Sequence, residues 1–584
     1  MAVKENTIHA PEKGGIEPYS VGQGAQTALK ALLQSSRSEL PAEFLRYVED
    51  VIFAKPSLTA DTVCLPCPLL QQETCAALKA LEGCATAAIA NLRRSKNDEK
   101  RDIVVNLERV TCFLMSAYIT NIDGLDKCNP KTRMRLPDTD LHQAQSILYR
   151  RLSAGLYETR DGDFYHIHGS LEASTTLRML GLPPFSPELT DYRHCIDTIE
   201  SAVKQFSAAE LEQLNNQLRQ AGISALTNQQ YQQTPHGQVM SSLPPFTVQQ
   251  LEGSTPPVPF PDTTSKVGSA PVQCLQGVRV IELCRVIAGP TIGRSLAAHG
   301  ASVLKITSPQ LPDVPVFQLD VNAGKHTTSL HLRDATDRAT FESLLETADV
   351  IIDGYRPGSL ERLGYSPEAL AAKAAERGRG IVYVAEDCFG GAGIPGAEWA
   401  GRPGWQQIAD CVTGVAWEQG AFMGLAEPVV PPFPMSDYGT GCLGTVAAMT
   451  GLYRRATEGG SWVGRTSLSQ YDIFLLSLGT YPAAVQEQLR RSHDEQQFFD
   501  LRHSDSVDEV GGRALRGIKS LHPELFDGHT MQSAYSEGFG GVVTWPKEAL
   551  EVTGLKVGHV RATRPNGFDA PSWEDWERDE TLLE

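Results

Sequence analysis

Gly277-Val-Arg-Val-Ile-Glu-Leu-Cys-Arg-Val-Ile-Ala-Gly-Pro290, followed closely by Gly300-Ala-Ser-Val-Leu-Lys-Ile306, is the stretch whose reading decides the fold. An apolar run, a turn of small residues, a helical pattern and a second apolar run make a strand-helix-strand unit. The rhythm continues outward. Strands are expected at Val278 to Leu283, Ser302 to Ile306, Thr327 to Leu332, Val350 to Asp353 and Ile381 to Val384, with helices at Thr291 to His299, Thr336 to Thr347 and Pro367 to Ala375. Apolar strands alternating with helices predict an α/β architecture, a largely parallel sheet covered by helices. The first turn, Cys284 to Pro290, has no GxGxxG, which disfavours nicotinamide and flavin, so no nucleotide redox cofactor is expected.

Upstream the pattern changes. Residues 1–58 begin polar and glycine-containing and read as a loosely attached arm. Residues 59–150 are mainly helical, with Leu69, Ala76, Leu81, Ala85, Ala88 and Leu92 at helical spacings. Residues 151–242 read as a small α+β domain, with a turn at Asp161-Gly162, an alternating strand and a helix ending at Gly181. Prolines and polar residues from Leu243 to Ala270 mark a linker, 243–274. The parallel-sheet domain follows at 275–490, and 491–584 is a C-terminal extension.

The whole chain has 584 residues, 41% hydrophobic and 21% charged, which is ordinary globular usage. With 52 basic against 70 acidic residues the net charge is −18, which argues against nucleic acid and anionic membranes as partners. No window approaches the roughly 18 apolar residues of a membrane helix. Glu5, Glu12 and Glu17 argue against a transit peptide, the terminal Leu-Leu-Glu is not a peroxisomal signal, and scattered cysteines suit reducing cytosol, so a cytoplasmic location is expected. The lone Cys64-x-x-Cys67 pair lacks partners for zinc, and His166 and His168, on one strand face, lack a third ligand; no metal site is expected.

Several blocks now converge. The 277–306 segment, then Ala348-Asp-Val-Ile-Ile-Asp-Gly-Tyr-Arg-Pro-Gly358 with Leu360-Glu-Arg-Leu-Gly364, then Met435-Ser-Asp-Tyr-Gly-Thr-Gly441 running to Tyr453-Arg454-Arg455, resemble in this order the family III CoA-transferases, the CaiB/BaiF family of formyl-CoA transferase and alpha-methylacyl-CoA racemase. The resemblance implies a Rossmann-like CoA-binding domain, coenzyme A as acyl-CoA substrate, a carboxylic acid as second substrate, and no metal. It makes Asp437 the nucleophile, attacking a thioester to form an aspartyl anhydride and then a thioester. Read alone, Asp437 before a helix of small residues is an N-cap. The resemblance also carries the CoA contacts to Val286, Ala288, Leu330, Arg333, Gly354, Tyr355, Arg362 and Trp405, the two arginines suiting phosphate. Each arginine, taken singly, is equally an ordinary surface side chain. The family often has Asn and Phe where Gly354 and Tyr355 stand. Trp405 occupies the position of the racemase's histidine base, so transfer is favoured over racemisation or epimerisation, with a non-catalytic acyl-CoA binder as the contrasting class.

The family's small domain normally follows the aspartate helix. Here its likeness lies upstream, at Leu156 to about Pro245. Ala76 to Tyr118 resembles a faint copy of the aspartate helix and its successor, at an offset of 361 that pairs Arg93-Arg94 with Arg454-Arg455 and Ala76 with Asp437. Two unrelated amphipathic helices are the alternative. A true copy predicts an internal pseudo-dimer with one live and one dead site, without excluding a homodimer.

Overall fold

The computed structural model describes residues 19–54, 62–94, 100–127, 129–261, 273–574 and 576. The N-terminal acids Glu5, Glu12 and Glu17, linker residues 262–272 and the C-terminal Leu-Leu-Glu lie outside the described residues.

The predicted α/β alternation folds into a seven-stranded sheet. Its order in space is His326–Ser329, Ser302–Thr307, Arg279–Leu283, Val350–Asp353, Val382–Asp387, Ser461–Ser467 and Thr247–Glu252. The first six are parallel. Side chains alternate between faces, as the pleat requires. Ile281, Leu304, Ile351 and Tyr383 stand in register and pack with Phe341, Leu344 and Leu370. Their neighbours Val280, Val303, Val350 and Val382 join the core that holds Ile292 and Leu443, from helices Ala288–Ala298 and Met435–Thr457.

Three elements differ from the reading of the sequence. The linker carries the seventh strand, Thr247–Glu252, antiparallel to Ser461–Ser467. Only Val248 of it is buried, so an edge strand with one neighbour leaves little apolar alternation to read. The expected loose arm contains helix Val21–Ser35, which buries Val21, Ala25, Ala28, Leu29 and Leu32. Gly24 suggested a loop, but a Cβ there would stand 2.7 Å from Glu73 Cγ; glycine permits close approach to helix Gln71–Arg93. Finally, the C-terminal extension returns to the N-terminal half. Its strand Leu550–Val552 pairs with Ile103–Asn106, and Gly541–Pro546 pairs with both Met531–Ser536 and Asn121–Ile122.

The small α+β unit has antiparallel strands Ala154–Glu158, Phe164–His168 and Ile223–Ser224 and a separate core including Tyr149, Tyr157, Ile167, Leu177 and Ile196. His503 ties this unit to the parallel-sheet half: Nε2 lies 2.7 Å from Glu200 Oε1 and Nδ1 lies 3.2 Å from Glu427 Oε2. Burial draws its pKa down, but the two carboxylates outweigh burial and hold it above the usual imidazole value. The clamp's contribution is therefore complete below the unfolded imidazole pKa of about 6.5 and fades as pH rises through the higher folded value. Hydrogen exchange at the interface of the two units should speed up with that rise, beyond the intrinsic pH effect, and His503→Gln should remove the extra dependence; an equal profile in both proteins would discount the clamp.

Candidate active site

The glycines of helix Met435–Thr457 set the site's geometry. A Cβ on Gly441 would lie 2.5 Å from Thr291 Cγ2, and one on Gly444 would lie 2.4 Å from Ile292 Cδ1. Small residues thus let helix Ala288–Ala298 pack directly on this helix, bringing the Val286–Ala288 turn to the end that carries Asp437. The N-cap is Pro434, so Asp437 stands third in the helix and the capping reading is corrected. Its carboxyl lines a cavity and has no hydrogen-bond partner among the described residues.

The cavity, of about 320 Å³, opens beyond the carboxyl ends of the central strands. Arg279–Leu283 runs outward to two strands on one side, and the chain then crosses to Val350–Asp353 on the other, so their C-terminal ends form the switch-point crevice where α/β sheets receive ligands. Val286, Ala288, Gly354 and Tyr355 come from these two ends. Val286 has φ 68°, a costly conformation for a β-branched residue, and its N–H donates to Asp313 Oδ1 at 3.3 Å. A Cβ at Gly354 would meet Cys284 Sγ at 2.9 Å and Glu386 Oε2 at 3.3 Å, a physical reason why a larger side chain does not stand there.

The opposite wall comes from the small α+β unit, through Ser170, Leu171, Glu172 and Gln220. Trp405 is held between the halves: its indole N–H donates to Ser170 Oγ at 2.9 Å and its ring stacks on His168 at 5.6 Å. His168, buried and neutral with a pKa drawn down to about 4, packs on His166.

Charge in the cavity is sorted. Burial first, and then the charge of Asp410, raise the pKa of Asp437 well above the carboxylate range. Glu386, near the end of strand Val382–Asp387, is raised strongly by burial and then by Asp387, Asp437 and Asp353. Asp387 is raised by burial to about 6. Arg285, Arg356 and Arg402 bring the positive charge, Arg402 being paired with Glu212. Arg285 donates to Pro312 O at 2.6 Å and lies over the Tyr355 ring at 5.2 Å, and Arg356 donates to Arg219 O at 3.2 Å.

Of the residues expected at the site, Asp437, Val286, Ala288, Gly354, Tyr355 and Trp405 line one cavity. Leu330 is buried beside Phe341 and Leu344 in the core under the sheet, and Arg333 and Arg362 are exposed; none of the three lines the cavity. Glu386, Asp387, Arg285 and Arg356 were not singled out from the sequence. Ending the last strand at Val384 left the two acids outside it, although strand ends are where the crevice opens. No group of three or more potential metal ligands occurs among the described residues.

Residues 275–501 match the family model described as CoA-transferase family III. The chain is 33% identical over 551 residues to the acetyl-coenzyme A transferase nodX of Hypoxylon pulicicidum, covering 91% of this chain and 90% of that protein. It belongs to the family III CoA-transferases. This family III member is also 33% identical over 467 residues to an acyl-CoA transferase of Gibberella moniliformis, covering 76% of this chain and 80% of the relative. A solved CAIB/BAIF family protein from Brucella suis aligns with 36% of this family III member and 56% of its own chain, at 25% identity and a TM-score of 0.30.

Proposed function

We propose that the protein moves CoA between an acyl-CoA and a free carboxylic acid through Asp437. The observation that carries this reading is a buried carboxyl, free of capping bonds, facing a cavity built at the switch point and closed by a second unit. The ionised Asp437 attacks the thioester carbonyl, giving a mixed anhydride and CoA thiolate. The thiolate attacks the aspartyl carbonyl, giving an aspartyl-CoA thioester and releasing the first acid. The incoming carboxylate displaces CoA to form a second anhydride, and the thiolate then attacks the new acyl carbonyl, restoring Asp437. Every thioester bond broken is replaced, so no nucleotide hydrolysis is called for. Trp405, its N–H engaged by Ser170, offers no base for racemisation. An intact-mass spectrum after incubation with a panel of acyl-CoAs tests the reading: a CoA adduct that hydroxylamine removes is expected, and unmodified protein across the panel would defeat it.

Val286, Ala288, Gly354, Tyr355 and Trp405 supply the wall against which CoA lies. Arg285 and Arg356 meet its phosphates in preference to Arg333 and Arg362, because only the former pair faces the cavity. Replacing Arg285 and Arg356 together by Gln should weaken CoA at least roughly tenfold, and a short acyl-pantetheine much less, measured by calorimetry. Equal losses for both ligands would place the phosphates elsewhere.

The architecture supports a fused pair of unequal halves. Helices Gln71–Arg93 and Met435–Thr457 have 23 residues each and pack together. Each leads through a strand into a helix capped by the strand's last side chain, Asn106 on Arg109 N–H and Ser467 on Gln470 N–H, at the expected offset of 361. Each strand has one parallel and one antiparallel neighbour. Gln72 Nε2 bonds Thr111 as Ser436 Oγ pairs with Asp472, a correspondence that supports aligning the long helices by their starts, with Glu73 rather than Ala76 opposite Asp437. Glu73 is closed off by the hydroxyls of Tyr19 and Tyr481 at 2.8 and 2.7 Å, so this second carboxyl has no room for a thioester.

A further inference from the structure

Asp410 and Asp472 form a carboxyl pair that the transfer steps do not use. They stand on helices Gln406–Thr413 and Leu468–Ser477, and both are fully buried. Ser436, the residue before Asp437, lies between them, its Oγ 2.8 Å from Asp410 Oδ1 and 2.7 Å from Asp472 Oδ1. Gln406 Nε2 donates to Asp410 Oδ2 and also reaches Phe433 O at 3.5 Å, which fixes the amide's orientation. Thr413 Oγ1 lies 3.2 Å from Asp472 Oδ2 and donates to Ala409 O at 2.7 Å.

The hydrogens can be counted. A serine hydroxyl has one hydrogen and cannot donate to two carboxylates, and Thr413's hydrogen is committed to Ala409. The titratable groups facing the pair are Asp437, Cys388, Cys411, Tyr231 and Tyr471, with Glu386 facing Asp437; none of these is a cation. Among the described residues neither carboxyl has an ion-pair partner to balance two negative charges. One proton must therefore reside on the pair. Asp410 is met by two donors, Gln406 and Ser436, whereas the hydrogen of Thr413 beside Asp472 is spent on Ala409, which favours Asp410 as the anion and Asp472 as the acid.

We propose that Asp472, Ser436 and Asp410 share a single proton as a relay that sets the ionisation of Asp437. The proposal rests on the reading of Asp437 as nucleophile. When Asp472 gives its proton to Ser436 and Ser436 gives its own to Asp410, no proton is gained or lost; the negative charge moves from Asp410 to Asp472. Asp410 is the charge that, after burial, opposes ionisation of Asp437, whereas Asp437 weighs least among the groups acting on Asp472, so moving the charge to Asp472 lessens the repulsion as the nucleophile's own charge forms. Asp410, Ser436 and Asp472 are positioning residues, acting through Asp437.

Two measurements on the full-length protein test this. Infrared difference spectra of wild type against Asp410→Asn and against Asp472→Asn should each show loss of a neutral carboxylic-acid carbonyl band, because either variant leaves one carboxylate to which the single hydrogen of Ser436 can be given, with Gln406 also donating where that carboxylate is Asp410. The acid limb of the exchange rate should move to lower pH in Asp410→Asn, where the charge leaves Asp437's side, and to higher pH in Asp472→Asn, whose amide has no proton to give and so fixes the charge on Asp410. A limb lowered by about one unit raises relative exchange well below it about tenfold. Spectra without a lost band would overturn the shared proton. An unmoved limb in either variant, or shifts in the same direction in both, would overturn its control of Asp437. Exchange that survives Asp437→Ala would defeat the transfer reading instead, and would leave intact the shared proton, which the spectrum reads without turnover.

Discussion

Asp437→Ala should lower acyl exchange by roughly 10³-fold or more while CoA binding changes by only a few-fold, because the substitution removes the covalent path and leaves the cavity wall in place. Asp437→Asn should do the same, and it is the sharper variant: the amide keeps the size of the carboxyl in a helix whose buried residues include every position from Met435 to Tyr453. The measurement is exchange of labelled acid into acyl-CoA, alongside calorimetric binding of CoA. Exchange above one tenth of wild type in either pure variant would remove Asp437 from the mechanism. The pH dependence has a definite sign. Attack needs the ionised carboxyl, and burial and Asp410 raise its pKa, so exchange should rise with pH through a limb above the ordinary carboxylate range.

The second large effect is on stability. Asp320 and Arg294 are both buried and pair at 2.7 Å, and Asp320 also accepts from Tyr438 Oη at 2.7 Å and from Ser116. Tyr438 in turn accepts from Ala117 N–H at 2.8 Å, so the network joins the N-terminal half to the residue beside the nucleophile. Asp320→Ala leaves a buried guanidinium without its carboxylate, and breaking a buried pair in this way costs about 3–5 kcal/mol. The midpoint of chemical denaturation should fall accordingly. Adding Arg294→Met should recover part of the loss, since removing both charges also removes the unpaired one. A single variant as stable as wild type would show that the network contributes little.

The parallel sheet was legible in the sequence because its strands are apolar on both faces and continuous runs leave little else to read. Val286, Ala288, Gly354 and Tyr355, at the ends of its central strands, were legible only through the resemblance of their blocks to the family's motifs; the strand order that brings them together belongs to the fold. Arg333 shows where this stops. It follows His326–Ser329, which lies at the sheet's edge with Ser302–Thr307 between it and Arg279–Leu283, and sequence proximity to a signature does not report that lateral distance. Arg285 and Arg356 are adjacent in sequence to the cited residues and were passed over because no local pattern distinguishes a cavity arginine from a surface one. The Asp410–Ser436–Asp472 group was hidden in another way, since three helices far apart in the chain must meet before it exists.

The pairing of Leu550–Val552 with Ile103–Asn106 bears on how the protein is made. Arg101 donates to Thr553 O across 452 residues of chain. At about 5–20 residues per second a ribosome needs roughly 20–90 s to cover that separation. Through that interval the first-synthesised half lacks a strand of its own sheet, and helix Gln71–Arg93, whose positions from Gln71 to Asn91 all become buried, has not yet received its covering. The first-made half therefore waits for Leu550–Val552, and until those residues have left the tunnel its long apolar helix stands open to chaperones.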